Sequence, residues 1–240
     1  MGLKTLLGLK KTKRREERLE KYKDYKPASN GREMQQFIDW IKGWSTLEVN
    51  NIFEIGANFA QDAEYLALGF NIEPQNVYVF EANPQIHEII TKIHNFNAYN
   101  YAVFNENKEI TFNILPISEN NTGLSSILNL NNKETTPVTV QAIRMDDFMN
   151  KNNIEKIDFL KLDAEGCNWE VLDGFGDRLK DINCIHVEAE HTHDYDYKEK
   201  NHLWGDISEL LLKNGFALIY FQRFVYQSDS FWIQKKYLKI

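Results

Sequence analysis

Three short stretches of this sequence bring together residue types that do chemistry. In Phe53-Glu54-Ile55-Gly56-Ala57-Asn58 an apolar run breaks into a glycine. With no Cβ at Gly56, backbone there can come close to a ligand. In Val77-Tyr-Val-Phe-Glu81-Ala82-Asn83-Pro84 the apolar run ends in an acid, which at the end of a second strand can accept both hydroxyls of a ribose. In Asp158-Phe-Leu-Lys161-Leu-Asp163-Ala-Glu165-Gly166 two carboxylates stand at and just past the end of a further run. Acids in that position help to bind a cation or take up a proton. A fourth stretch, Cys184-Ile-His186-Val-Glu188-Ala-Glu190-His191, alternates so that His186, Glu188 and Glu190 share one side of a strand. Buried carboxylates are costly unless paired, so Glu190 and His191 are expected at an open, ligand-facing end. His191 can titrate near working pH and is the candidate base; the alternative is that these residues only bind water or cap loops.

The elements that must position these residues alternate along the chain. Strands are expected at Ile52–Ile55, Val77–Glu81, Asn100–Phe104, Phe159–Asp163, Cys184–Glu190, Phe216–Phe221 and Ser230–Gln234. Helical patterns fall at about 61–69, 85–95, 168–180 and 202–214, and Phe37, Ile38, Ile41 and Trp44 mark one more over Met34–Trp44. Such alternation predicts a parallel sheet covered by helices. Glu54 and Glu81 are separated by one strand–helix–strand unit, with Asn83 as N-cap and Pro84 in the first turn of the next helix. Between the third and fourth strands, Ile110–Leu115 and Val138–Ile143 read as an antiparallel insertion around an Asn-rich loop. In such a sheet, ligands bind at the carboxyl edge where strand order switches.

A glycine turn followed by an acid suits either a nicotinamide or an adenosylmethionine cofactor. The loop Gly56-Ala-Asn58-Phe-Ala60-Gln-Asp62 has one glycine and a nearby acid. A dinucleotide site wants G-x-G-x-x-G for its pyrophosphate, so the loop is poor for a diphosphate and acceptable for an amino-acid moiety. Glu188, Glu190, His191, His193, Asp194 and Asp196 could be grouped as metal ligands, but their spacing follows no known pattern, and no metal is expected. The loop from Tyr195 to Trp204 is polar and aromatic; it suits the wall of an acceptor site or an ordinary surface loop packed by Trp204.

The stretches Phe53–Asn58, Val79–Pro84, Gly123-Leu-Ser-Ser-Ile127, Ile143-Arg-Met-Asp-Asp-Phe148 and Ile157–Gly166 resemble, in order and spacing, the FkbM family of methyltransferases, over about residues 50–190. Lys161-Leu-Asp-Ala-Glu-Gly166 is the most specific of them. The resemblance implies a Rossmann-like class I methyltransferase fold. That means an α/β domain with a mostly parallel seven-stranded sheet, helices on both faces and a small antiparallel insertion, over residues 31–240. It implies S-adenosylmethionine as cofactor, with Gly56 and Asn58 lining the methionine end beside Glu54. Glu81 would hold the ribose next to Ala82, Ala102 and Val103 would flank the adenine, and Ser126 would border the pocket. Asp163 would face the transferred methyl, and Asp163, Glu165, Glu190 and His191 form the catalytic set. One position departs: the family usually has a glycine where Ala60 stands, and a methyl there would narrow the loop. The implied reaction is O-methylation of a hydroxyl, of a sugar in a surface glycan or polysaccharide precursor. Two other readings are a nicotinamide-dependent sugar-modifying enzyme, disfavoured by the loop, and a catalytically silent module that binds the cofactor or a partner.

Charge bounds the partners. Residues 1–26 carry ten Lys or Arg and four Asp or Glu, a net +6 against −7 for all 240 residues, which leaves −13 on the rest. An acidic body argues against nucleic acid. The basic stretch, expected as a helical extension over residues 1–30 that ends at Pro27–Gly31, could touch an anionic membrane surface or an acidic partner, or could be a solvated helix. The first residues lack a secretory cleavage site, position 6 is Leu6 where myristoylation wants Ser or Thr, and the two cysteines give no disulfide framework. A cytoplasmic protein, peripheral at most to the inner membrane surface, is expected. The acceptor is expected to be a small molecule or glycan.

Overall fold

The structure, a computed structural model, describes residues 33–116, 122–130, 133–192 and 202–239. The basic segment 1–30, its boundary at Pro27–Gly31 and the loop residues His193–Asp196 lie outside the described residues. The main sheet has seven strands in the order β3-β2-β1-β7-β8-β10-β9. These are β1 (Ile52–Ile55), β2 (Val77–Phe80), β3 (Asn97–Tyr99), β7 (Ile157–Leu162), β8 (Ile182–Glu190), β9 (Phe216–Arg223) and β10 (Gln227–Gln234). All neighbours run parallel except β10, which is antiparallel to both β8 and β9. The chain steps outward from β1 to β3 and returns beside β1 as β7, so strand order switches between β1 and β7. That is where a ligand crevice belongs.

Alternation along the buried strands divides the core into two layers. On one face Ile52, Val77, Val79, Phe159, Cys184, Phe231 and Ile233 meet helices α1 (Met34–Trp44), α2 (Gln61–Phe70) and α3 (Pro84–Ile93). On the other, Phe53, Ile55, Leu160, Leu162, Ile185, Val187 and Trp232 meet α4 (Met145–Lys151), α5 (Asn168–Asp173) and α6 (Trp204–Lys213). Helices therefore cover both faces, as expected. α1 turns Met34, Phe37, Ile38 and Ile41 inward; Trp44, expected on the same stripe, is the last residue of the helix and is 67% exposed. Asn83 caps α3 by accepting from the amides of Gln85 and Ile86, with Pro84 in the first turn.

Three details depart from the sequence reading. The strand expected over Asn100–Phe104 is shorter and belongs elsewhere: β3 closes the main sheet before it, and only β4 (Ala102–Val103), in a separate sheet, lies within that stretch. Asn100 makes the break, its side-chain amide donating to the carbonyls of Glu81 and Ala82. The insertion is accordingly three-stranded: β5 (Lys108–Ile114) pairs antiparallel with β6 (Thr136–Ile143), and β4 runs parallel to β6. The helix expected over 168–180 stops at Asp173, and a 3-10 segment, Gly176–Asp181, follows.

Candidate active site

The turn after β1 is built around Gly56, whose φ is +74°. Its amide and that of Ala57 both donate to the Phe80 carbonyl at 3.1 Å, tying the turn to β2. A Cβ at Gly56 would lie 1.9 Å from the carbonyl oxygen of Asp163. The glycine is thus required by the backbone just past β7, a reason other than the close ligand approach expected of it. Asn58 (φ 45°) and Ala60 (φ 55°) are also left-handed. A left-handed residue at 60 accounts for a glycine preference there. The Ala60 methyl is fully buried in the core with α1 and α2 and is not among the residues that line the cleft. The Nε2 of His94 donates to the Phe59 carbonyl at 3.0 Å and fastens the loop from its far side.

Glu81 follows β2 directly. One carboxylate oxygen accepts from the Asn58 amide at 2.7 Å and the other from the Asn83 amide at 2.8 Å, so the acid links the two cleft-forming turns. Burial pushes its carboxyl up to about 7, against the two amide hydrogen bonds, which pull it down. A ligand that donates hydroxyl protons to this acid would favour its charged form.

Past β7 lies a second concentration of acid. Lys161 is only 4% exposed, and its ammonium sits 3.0 Å from Asp163 Oδ2. Burial lowers the Lys161 pKa, but Asp163, Asp62 and Glu54 outweigh it and hold the lysine charged. The other oxygen, Asp163 Oδ1, is buried and has no hydrogen-bond partner among the described residues. One carboxylate oxygen each of Asp163, Glu165 and Glu188 lies within 4.8 Å of the other two. Burial, then Asp163, Glu165 and Asp229, push the Glu188 carboxyl well up, while Lys161 opposes them.

These turns enclose a cleft whose empty space, counted out to its open mouth, is about 570 Å³. The β1 turn contributes Gly56 and Asn58, the β2 turn Glu81 and Ala82, β4 Ala102 and Val103, and the β7 turn Asp163, Ala164 and Glu165. Tyr101, Phe112, Ser125 and Ile127 close the side formed by the insertion. Glu81 and Asp163 flank β1 from the two neighbouring strands, roughly 10 Å apart at the usual strand spacing.

Of the residues singled out in the sequence, Gly56, Asn58, Glu81, Ala82, Ala102, Val103, Asp163 and Glu165 meet at this cleft. Four are placed elsewhere. Glu54 is buried beneath it: its carboxylate accepts from the Ala63 amide at 3.0 Å in the first turn of α2, and burial and Asp62 raise its pKa against Lys161. Ser126 braces the rim, donating to the Glu165 carbonyl at 2.6 Å, while its neighbours Ser125 and Ile127 do the lining. Glu190 and His191 end β8 outside the lining residues. The His191 ring stands 6.2 Å from Trp204 and 6.1 Å from Phe221, centroid to centroid, and burial and Arg223 lower its pKa. Glu188, two residues before Glu190 on the same face of β8, is the acid that joins Asp163 and Glu165. Of the residues once grouped as metal ligands it alone is in that cluster; His193, Asp194 and Asp196 lie outside the described residues.

A seven-stranded sheet with one antiparallel strand, an acid closing β2 and a cleft at the strand-order switch give the Rossmann-like layout expected of a class I methyltransferase. Sequence comparison agrees: the family model described as the methyltransferase FkbM domain matches residues 54–218. The chain belongs to this family of S-adenosylmethionine-dependent methyltransferases. No curated protein matches the sequence. Solved structures to which the chain is similar include TrmK of M. capricolum in complex with S-adenosyl-homocysteine (TM-score 0.46, 11% identity, 86% of this chain and 69% of that one). An FkbM methyltransferase of Methylobacillus flagellatus gives TM-score 0.47 and 10% identity over 77% of this chain and 44% of that one, so this chain spans less than half of its length. The magnesium protoporphyrin IX methyltransferase of Synechocystis, with S-adenosyl-homocysteine bound, gives TM-score 0.45 and 11% identity over 85% and 83%.

Proposed function

We propose that the protein methylates a hydroxyl group of a sugar, with S-adenosylmethionine as donor. The observation that carries this reading is the pairing, across one strand, of an amide-held acid at Glu81 with the carboxylates of Asp163 and Glu165 in a single cleft. Glu81 would hold the ribose hydroxyls, and Ala102 and Val103 on β4 would flank the adenine. The buried, unpartnered Asp163 Oδ1 fits a cationic ligand better than a neutral or anionic one. When bound, the cofactor supplies a methyl group on a positively charged sulfur, and hence most of the driving force. The chain's own part is to hold donor and acceptor in line, exclude water and receive the hydroxyl's proton.

A sugar acceptor is supported by the same edge of the molecule. The His191 amide donates to the Tyr226 carbonyl at 2.7 Å, which sets the β9–β10 hairpin beside the end of β8. That hairpin carries the exposed rings of Phe221, Phe224 and Tyr226, and aromatic faces pack well on the C–H faces of sugar rings. Incubation with S-adenosylmethionine and panels of nucleotide sugars, oligosaccharides, amines and thiols, read as S-adenosylhomocysteine formed, tests the reading. Turnover with a hydroxylic sugar is expected; turnover with amines or thiols alone would refute it.

The described residues contain no helix long and apolar enough to cross a membrane. Contact of the basic residues 1–26 with an anionic surface remains part of the same proposal. Vesicle co-sedimentation, with and without anionic lipid, tests it.

A further inference from the structure

Strand register sets Glu188 beside the cleft. β7 and β8 pair Lys161 with His186 and Leu162 with Val187, so Asp163 and Glu188 come next on one rung and face the same side of the sheet. Glu188 is also held there. Its Oε2 accepts from Gln227 Nε2 at 2.8 Å. Its backbone carbonyl accepts from the Asn168 side-chain amide at 2.8 Å, and Asn168 Oδ1 accepts from the Ala164 amide at 2.6 Å. Asn168 therefore stitches the Glu188 strand to the turn that carries Asp163 and Glu165.

The charges around Glu188 come from several elements. Asp163 and Glu165 face it from the β7 turn. Asp229 stands opposite it on β10, with His186 Nε2 3.5 Å from the Asp229 carboxylate. Lys161 faces it from β7, already engaged with Asp163, and α1 presents Phe37 to the His186 ring. Acids that close oppose one another's ionisation unless a positive charge joins them. Lys161 is one such charge. A cation in the cleft, against Asp163 and Glu165, would be a second.

We propose that Glu188 is the proton-accepting group of this site, made available when a cationic methyl donor occupies the cleft that Asp163 and Glu165 line. The inference rests on the cofactor and the hydroxyl acceptor of the proposed function. In the transfer the hydroxyl O–H bond breaks, its proton goes to a Glu188 carboxylate oxygen, and the oxygen takes the methyl group. The electron pair of the broken C–S bond stays on sulfur, so no oxidant or reductant is needed. The arrangement couples the base to the donor's charge: S-adenosylmethionine frees Glu188 and S-adenosylhomocysteine, which lacks the charge, does not.

Calorimetric titration with each of these two compounds, in buffers of different ionisation enthalpy and with EDTA present, counts protons released on binding and needs no acceptor. Both compounds carry the ribose and engage Glu81 alike, so the difference between them reads the carboxylate cluster. The wild type is expected to release more of a proton with S-adenosylmethionine than with S-adenosylhomocysteine. The affinity ratio of the two should rise with pH, by at most about tenfold per unit for one displaced proton. Glu188→Gln should bind both and show neither the excess nor the pH dependence. Equal release by the wild type, or an excess that survives in Glu188→Gln, would overturn the assignment. If the variant fails to bind S-adenosylhomocysteine, Gln227→Ala decides. Losing a hydrogen bond that favours charged Glu188, it should move the midpoint of the excess release to higher pH, and an unmoved midpoint would overturn the assignment. A wild type that binds S-adenosylhomocysteine without excess release rejects this inference alone; one that does not bind it rejects the cofactor reading as well.

Discussion

Gly56→Ala puts the geometry of the cleft under direct strain. The new methyl carbon would stand 1.9 Å from the Asp163 carbonyl oxygen and 2.7 Å from its carbon, both backbone atoms of the turn just past β7. Neither can rotate away. Holding an alanine at a φ of +74° costs about 1–2 kcal/mol, and forcing a methyl into packed structure adds about 1–3 kcal/mol. The expected loss is therefore about 2–5 kcal/mol, a large part of the roughly 5–15 kcal/mol of a typical domain. Urea unfolding followed by far-UV circular dichroism reads it. For a slope of about 3 kcal/mol per M the midpoint should fall by roughly 0.7–1.7 M. Because the clash moves the Asp163 backbone, affinity for S-adenosylhomocysteine should fall even where the variant is folded. Gly43→Ala is the control: it lies in α1, and a Cβ there meets nothing within 4 Å. It should stabilise, by up to about 1 kcal/mol. A Gly56→Ala protein within about 0.5 kcal/mol of the wild type would refute the reasoning.

Other substitutions probe the two acid centres separately. Glu81→Ala should weaken S-adenosylhomocysteine binding by about 1–3 kcal/mol, the loss of a charged acceptor; unchanged affinity by calorimetry would remove its ribose role. The Glu81 carboxyl, pushed up to about 7 by burial, is raised above its unfolded value. It contributes stability fully below about pH 4.5 and loses it as pH rises through about 7, about 3 kcal/mol in all. Glu81→Gln should therefore gain on the wild type by that amount between those pH values, in denaturant titrations of the ligand-free proteins. Lys161→Met leaves Asp163 and Glu54 without their buried cation and should cost about 3–5 kcal/mol near neutral pH, with the deficit shrinking in acid as Glu54, whose pKa burial raises, takes up a proton.

Much of this site was legible in the sequence because its parts sit at strand ends. Apolar runs that stop at Gly56, Glu81 and Asp163 predict the carboxyl edge of a parallel sheet, and all three line the cleft. Asn83-Pro84 announced the start of α3 by its capping chemistry. What the sequence concealed depends on register and on which sheet a strand joins. Alternation put His186, Glu188 and Glu190 on one face but could not say which β8 acid meets the acids of the β7 turn; the pairing of Leu162 with Val187 decides for Glu188. The strand read over Asn100–Phe104 hid a change of sheet: the Asn100 side chain, turned onto the Glu81 and Ala82 carbonyls, separates β3 of the main sheet from β4 of the insertion. The seven residues of α4 are too few to show a helical period. Glu54 looked like a ligand residue by its place in the motif, yet the backbone sends it under the cleft to the first turn of α2.

The central claim is that the cleft between the β2 and β7 turns binds S-adenosylmethionine through Glu81. Calorimetric titration of the wild type and Glu81→Ala with S-adenosylhomocysteine, with NAD in parallel, tests it most directly. One site per chain for S-adenosylhomocysteine is expected, at about micromolar affinity, weakened in the variant, with no binding of NAD. Binding of NAD alone, or of S-adenosylhomocysteine equally to both proteins, would contradict it.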